Sequence, residues 1–154
     1  MKEILPLVFF FNGVDFIMYL KTILALMINL NSIEMMNDIN ELKWNNRVLV
    51  IKNDKKNNFS LRINSLKQEF DERDFVLVYV KEQNTFVHNK KMSKNFSQSL
   101  LKIIKNIDDD QNMILIGKDG KIKKTYSSIN ELEKIFSDVD QMPMRIYEMQ
   151  MRKK

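Results

Sequence analysis

The chain has 154 residues, 44% of them hydrophobic and 29% charged, with a formal net charge of +5. That suffices for one domain with a real core, while 3 glycines and 2 prolines are too few for collagen-like or long flexible segments. The absence of cysteine excludes disulfides, thiol-disulfide oxidoreductase and thiol peroxidase chemistry, cysteine nucleophiles and zinc-thiolate sites.

Residues 4–30 are strongly apolar but interrupted by Asn12, Asp15 and Lys21. A spanning helix wants about 20 predominantly apolar residues without central charges. A reading from Met18 is better: "MYLK" is a short basic n-region, and "TILALMINL" (Thr22–Leu30) has the length of an h-region. Residues 1–32 are therefore expected to be a targeting segment with its start at Met18, and 33–46 a linker. The expected location is periplasmic or secreted, with membrane contact only through an uncleaved form of that segment. An N-terminal core helix is the alternative. Lys2 and Lys21 cancel Glu3 and Asp15, so the whole +5 lies in 33–154. The lysines there are spread out, without the interleaved aromatics or reading helix of a nucleic-acid surface.

"RVLVIK" (Arg47–Lys52) is a short apolar, β-branched run and predicts a buried strand. Phe59, Ile63, Leu66 and Phe70 then trace one helical face. "DERD" (Asp71–Asp74) ends that helix, and "FVLVYV" (Phe75–Val80) is a second strand. Residues 81–92 are polar and read as a loop or a short extra strand. Ser93 can cap a helix whose apolar face is Phe96, Leu100, Ile103, Ile104 and Ile107. "MILIG" (Met113–Gly117) is a third strand. "KIKKT" (Lys121–Thr125) alternates and reads as a fourth, antiparallel one near an edge. Ser128 and Glu131 form a capping box for a last helix with Leu132, Ile135, Phe136 and Val139 inward. The first three strands are continuously apolar, which points to parallel strands covered by helices on both faces.

Between the third and fourth strands lies "GKDGK" (Gly117–Lys121), which invites comparison with a phosphate loop. A Walker A loop needs four residues between its glycines and a helix after its lysine. Here only two residues separate the glycines and a strand follows, so an Asp119-Gly120 hairpin turn is the better reading. "DDDQNM" (Asp108–Met113) lacks the glycine and the terminal glutamate of a calcium loop. The single histidine, His88, lies beside Lys90 and Lys91 without a nucleophile context and reads as a surface residue. In "DQMPMRIYEMQ" (Asp140–Gln150), Arg145 and Glu148 can pair at i, i+3. Met142, Met144 and Met149 can pack the segment back onto the domain, with a methionine-rich partner surface or a soft metal site as the functional alternatives.

Four segments together resemble the bacterial domain family DUF4174: "LKWNNRVLVI" (Leu42–Ile51), "ERDFVLVYV" (Glu72–Val80), "LIGKDGKIK" (Leu115–Lys123) and "DQMPMRIYEM" (Asp140–Met149). The resemblance implies a thioredoxin- or peroxiredoxin-like fold behind a signal peptide, related to domains of animal extracellular-matrix proteins such as the sushi-repeat proteins. It implies no activity. Where redox-active relatives carry a cysteine pair this chain has Asn53–Asn58, and Gln111-Asn112 replaces the cis-proline position.

The expected architecture is α/β and thioredoxin-like, β-α-β-α-β-β-α, with a central mixed four-stranded sheet and helices on both faces. The domain should span 47–141, followed by a docking segment and basic tail at 142–154. The expected function is an exported, non-catalytic module that binds a protein or envelope component, without cofactor, metal or nucleic acid. The alternative is a cysteine-independent enzyme. Arg73, Lys118, Asp119, Arg145 and Glu148, polar members of the four segments, are the candidate site residues. Clustering of these groups in one pocket with strongly shifted pKa values would favour the enzyme, and their dispersal into caps, turns and ion pairs the binder.

Overall fold

In the computed structural model the chain divides into two units, residues 1–35 and 36–154. The structure describes residue 21, residues 36–52 and residues 58–152. The targeting segment with its Met18 start lies outside the described residues apart from Lys21, and so does 53–57, most of the stretch that replaces the cysteine pair. Among the described residues no helix is long and apolar enough to cross a membrane.

The second unit is mixed α/β. A 3-10 turn at Ile39–Leu42 precedes β1 (Arg47–Lys52), α1 (Asn58–Ser65) and α2 (Lys67–Glu72). Three strands follow: β2 (Phe75–Lys81), β3 (Asn84–Val87) and β4 (Lys90–Lys91). Then come α3 (Lys94–Ile104), β5 (Met113–Ile116) and β6 (Ile122–Tyr126). A second 3-10 turn (Ile129–Glu131) leads into α4 (Leu132–Asp140), and α5 (Pro143–Met151) ends the unit.

The strands form one sheet of six, rather than the four expected, in the order β4-β3-β2-β1-β5-β6. The two additional strands are the polar stretch after β2. They are joined by two-residue turns, Glu82-Gln83 and His88-Asn89. His88 and Asn89 both take positive φ (48° and 64°), as a type I′ turn requires. β1 and β2 are parallel, but β5 runs antiparallel to β1. The continuous apolarity of β5 therefore reflects its place between β1 and β6 with both faces covered, not its direction.

One face of the sheet carries Leu49, Ile51, Met113, Leu115 and Tyr126 against Ile63, Phe70 and the α4 residues Leu132, Ile135, Phe136 and Val139. The other face carries Val48, Val50, Val78, Ile114 and Ile116, buried with the α3 side chains Phe96, Leu100 and Ile104. The helical face 59/63/66/70 is split in two by Leu66, at φ −109° and ψ 16°. Residues 36–46, expected to be linker, belong to the fold. Asp38 and Glu41 form a capping box, and Ile39 and Leu42 are buried.

Candidate functional site

The site lies at the end of the sheet where β1 begins. Asp74, at φ +53°, closes α2 in the left-handed region, and its carbonyl accepts the Arg47 N–H (2.9 Å), which starts the parallel pairing of β1 and β2. The β5–β6 hairpin turns through Gly120 at φ +74°, with the Gly120 N–H donating to the Gly117 carbonyl (2.9 Å). The Lys118 carbonyl in that turn accepts the Trp44 N–H (2.7 Å). Pro143 occupies the first turn of α5, where its missing N–H costs nothing, and directs the helix back across this end of the sheet.

The buried charged residues among those described are four cations, Arg47, Arg73, Lys118 and Arg145. All four meet here. Arg47 is 1% exposed and grips Glu148 with both terminal nitrogens, at 3.1 Å each, while also donating to the Arg73 carbonyl (2.9 Å). Lys118 Nζ bridges Asp74 Oδ2 (2.8 Å) and Glu148 Oε1 (2.9 Å). Arg73 makes a second two-pronged pair with Asp140 (3.0 and 2.6 Å), holds Glu69 (2.6 Å) and lies 4.9 Å from the Phe136 ring centroid. Arg145 donates to Asp140 Oδ1 (3.2 Å) and to the Glu72 carbonyl (2.8 Å), and lies 3.8 Å from Glu148. Arg152 closes the edge with a bond to the same Glu72 carbonyl (2.8 Å).

Two carboxylates thus act as hubs. Burial pushes the Glu148 carboxyl up, but Arg47 and Lys118 outweigh it and hold it below the usual carboxylate range. Burial acts the same way on Asp140, and Arg73 and Arg145 outweigh it. Burial depresses the Arg73 guanidinium, and Asp140 and Glu69 overcome that and raise it. Among the described residues no buried side-chain nitrogen or oxygen lacks a hydrogen-bond partner. Carboxylates held this firmly in the ionised form are poor general acids. Their geometry suits holding: buried guanidinium–carboxylate forks tie β1, the α2–β2 turn, the β5–β6 turn, α4 and α5 into one joint.

Of the five candidates, Arg73, Lys118, Arg145 and Glu148 are brought together. Asp119 stands apart. It accepts from Lys123 Nζ (2.7 Å) and the Lys121 N–H (3.2 Å), and despite partial burial these donors lower its carboxyl. It lines an adjacent groove of about 360 Å³ with Gly117, Lys118, Met142 and Met144. The residues missed are Arg47, Asp74 and Asp140. Each lies inside a quoted segment, and Arg47 carried a signal of its own as a cation directly before four consecutive apolar residues. Among the described residues no group of three His, Asp or Glu side chains could hold a metal ion.

The joint gives α5 an unusual orientation. Its buried residue is Arg145, and Glu148 lies beside it on the inner side. Met144, Ile146, Tyr147 and Met151 face outward, at 40%, 42%, 63% and 52% exposure. Of the three methionines expected to pack this segment onto the domain, Met142 lies against the core and Met149 is partly buried, while Met144 is exposed. Attachment through Arg145 and Glu148 rotates the apolar side chains away from the domain.

Residues 38–148 match the family model described as Domain of unknown function (DUF4174), which covers most of the chain. No curated protein and no solved structure matches it. The chain belongs to the DUF4174 family.

Proposed function

We propose that this DUF4174 domain is an exported, non-catalytic binding module with a thioredoxin-like fold, and that it engages a protein or surface ligand through the outward side of α5. The observation that carries the reading is the inverted helix. Arg145 and Glu148 are turned inward into the charged joint, while Met144, Ile146, Tyr147 and Met151 are left in solvent. Single exposed apolar residues are ordinary on a protein surface; a helix that buries its charges and presents its apolar residues is not.

The thioredoxin-like assignment is supported by strand order. Within the six strands, β6-β5-β1-β2 has β1 and β2 parallel and β5 and β6 joined as an antiparallel hairpin. With helices after β1, before β5 and after β6, this is a β-α-β unit followed by β-β-α, and the β3–β4 hairpin extends the β2 edge. Export is supported by the n-region and h-region pattern of residues 18–30. The commitment of the motif charges to one another supports a holding role for them rather than catalysis.

A photo-cross-linking amino acid at position 147 tests the reading in cells producing the full chain. The expected result is an adduct formed from position 147 and not from position 133, an exposed glutamate on α4. Equal labelling at both positions, or none at either, refutes it.

A further inference from the structure

We propose that the outward arc of α5 docks onto an anionic lipid surface. The inference rests on the binding reading above and names its partner. Met144, Tyr147 and Met151 recur at three- and four-residue spacing, with Ile146 beside them, so the arc is apolar along the whole helix. Gln150 is its polar member, and no acidic side chain lies on it. Arg152, Lys153 and Lys154 follow Met151 in the sequence. Arg152 is half-exposed; it donates to the Glu72 carbonyl (2.8 Å) and lies 3.5 Å from Asp74, which offsets part of its charge.

Apolar side chains that include an amphipathic aromatic ring, next to a cluster of Lys and Arg, form the pattern that enters the boundary between headgroups and acyl chains of anionic bilayers. Charge decides between lipid and a second copy of the chain. Parallel packing of two α5 arcs would set Arg152 of one copy near Arg152 of the other. Antiparallel packing would bring each basic end to the start of the other helix, where Asp140 is already taken by Arg73 and Arg145. An anionic lipid surface satisfies the arc and its basic end together. This contact is additional to any made by the N-terminal segment. The joint contributes rigidity: with Arg145 and Glu148 fixed to β1 and α4, the arc is displayed without an ordering step on binding.

The chain has one tryptophan, Trp44, so the double substitution Trp44→Phe, Tyr147→Trp puts the only indole on the arc. Its emission is read in the full chain with phosphatidylcholine vesicles and with mixed phosphatidylcholine–phosphatidylglycerol vesicles. Trp44→Phe, Met151→Trp serves as a second reporter on the same arc. The expected result is a blue shift and quenching by brominated acyl chains with the mixed vesicles, and neither with phosphatidylcholine alone. Replacing Lys153 and Lys154 by glutamine should weaken the apparent affinity by about thirtyfold, from ~1 kcal/mol per basic residue near the surface. Water-like, unquenched emission from both reporters overturns the proposal, even if the chain floats with the vesicles through another segment. A position-specific cross-link from 147 to a protein would then leave the binding reading standing with a protein partner. Absence of that cross-link as well would remove both.

Discussion

Replacing Glu148 by glutamine should reveal how much the joint contributes. The side chain is 18% exposed and faces three cations: Arg47 through two bonds of 3.1 Å, Lys118 at 2.9 Å and Arg145 at 3.8 Å. Glutamine keeps the shape but removes the charge and turns one acceptor into a donor aimed at a cation. Breaking a buried pair costs about 3–5 kcal/mol, because the remaining charge is stranded. Here Arg47 keeps the Arg73 carbonyl, and Lys118 keeps Asp74. A loss of about 2–3 kcal/mol is therefore expected, or roughly 8–12 °C in melting temperature for a domain of this size. Urea denaturation read by circular dichroism measures it. The double variant Arg47→Met, Glu148→Met should be more stable than the sum of its single variants by at least ~1.5 kcal/mol, since no cation at position 47 is left unpaired. A Glu148→Gln protein within about 0.5 kcal/mol of the parent would refute the view that α5 is held by charge.

The folded-state pKa values of Glu148 and Asp140 lie below their unfolded values, so their contribution is complete above the unfolded pKa and is lost as pH falls through the folded one. Urea midpoints should fall steeply below about pH 4, and less steeply in Glu148→Gln, whose position 148 no longer titrates. The Tyr126 hydroxyl is buried and donates to Asp138 (2.7 Å), and burial together with that carboxylate pushes its ionisation far up. In an alkaline absorbance titration Tyr126 should remain protonated until the domain unfolds, a signal that Tyr126→Phe removes. Tyr126→Phe should cost about 1.5–3 kcal/mol by denaturant titration, as expected for a hydrogen bond to a charged group. Gly120→Ala forces a side chain into φ +74° and should cost about 1 kcal/mol; the added methyl meets only the movable end of Lys43.

What could be read from the sequence was whatever depends on local pattern. Strands β1, β2 and β5 announced themselves as apolar runs, α3 by its period and its cap at Ser93, and α4 by its period; the Ser128 capping box expected for α4 instead closes the 3-10 turn before it. The Asp119-Gly120 turn followed from its residues. The β3–β4 hairpin was half-hidden because its outward residues are polar, leaving Thr85 and Val87 as the only inward pair. The inclusion of 36–46 was hidden because two buried residues, Ile39 and Leu42, are too few to show a period. The site was legible as membership and not as geometry. Four candidates were named from segments spread between positions 73 and 148, but periodicity does not report that Glu148 reaches Arg47, 101 positions away. Arg47 itself was read as part of a strand. The orientation of α5 departed from pattern at Met144: an apolar period predicts that methionines turn inward, and here Arg145 and Glu148 take the inner side because turning the helix over would remove Glu148 from the buried Arg47 and Lys118.

The claim on which the account turns is that α5 lies charge-side in and apolar-side out. Brief peroxide oxidation of the folded full chain, followed by peptide mass spectrometry, measures it through the methionines. Met144 and Met151, at 40% and 52% exposure, should become sulfoxides early, while Met113, at 0%, and Met92, at 4%, should react only when the domain unfolds. Met144 and Met151 reacting as slowly as Met113 would mean that the helix packs its apolar face inward, which would contradict the joint, the binding surface and the lipid contact together.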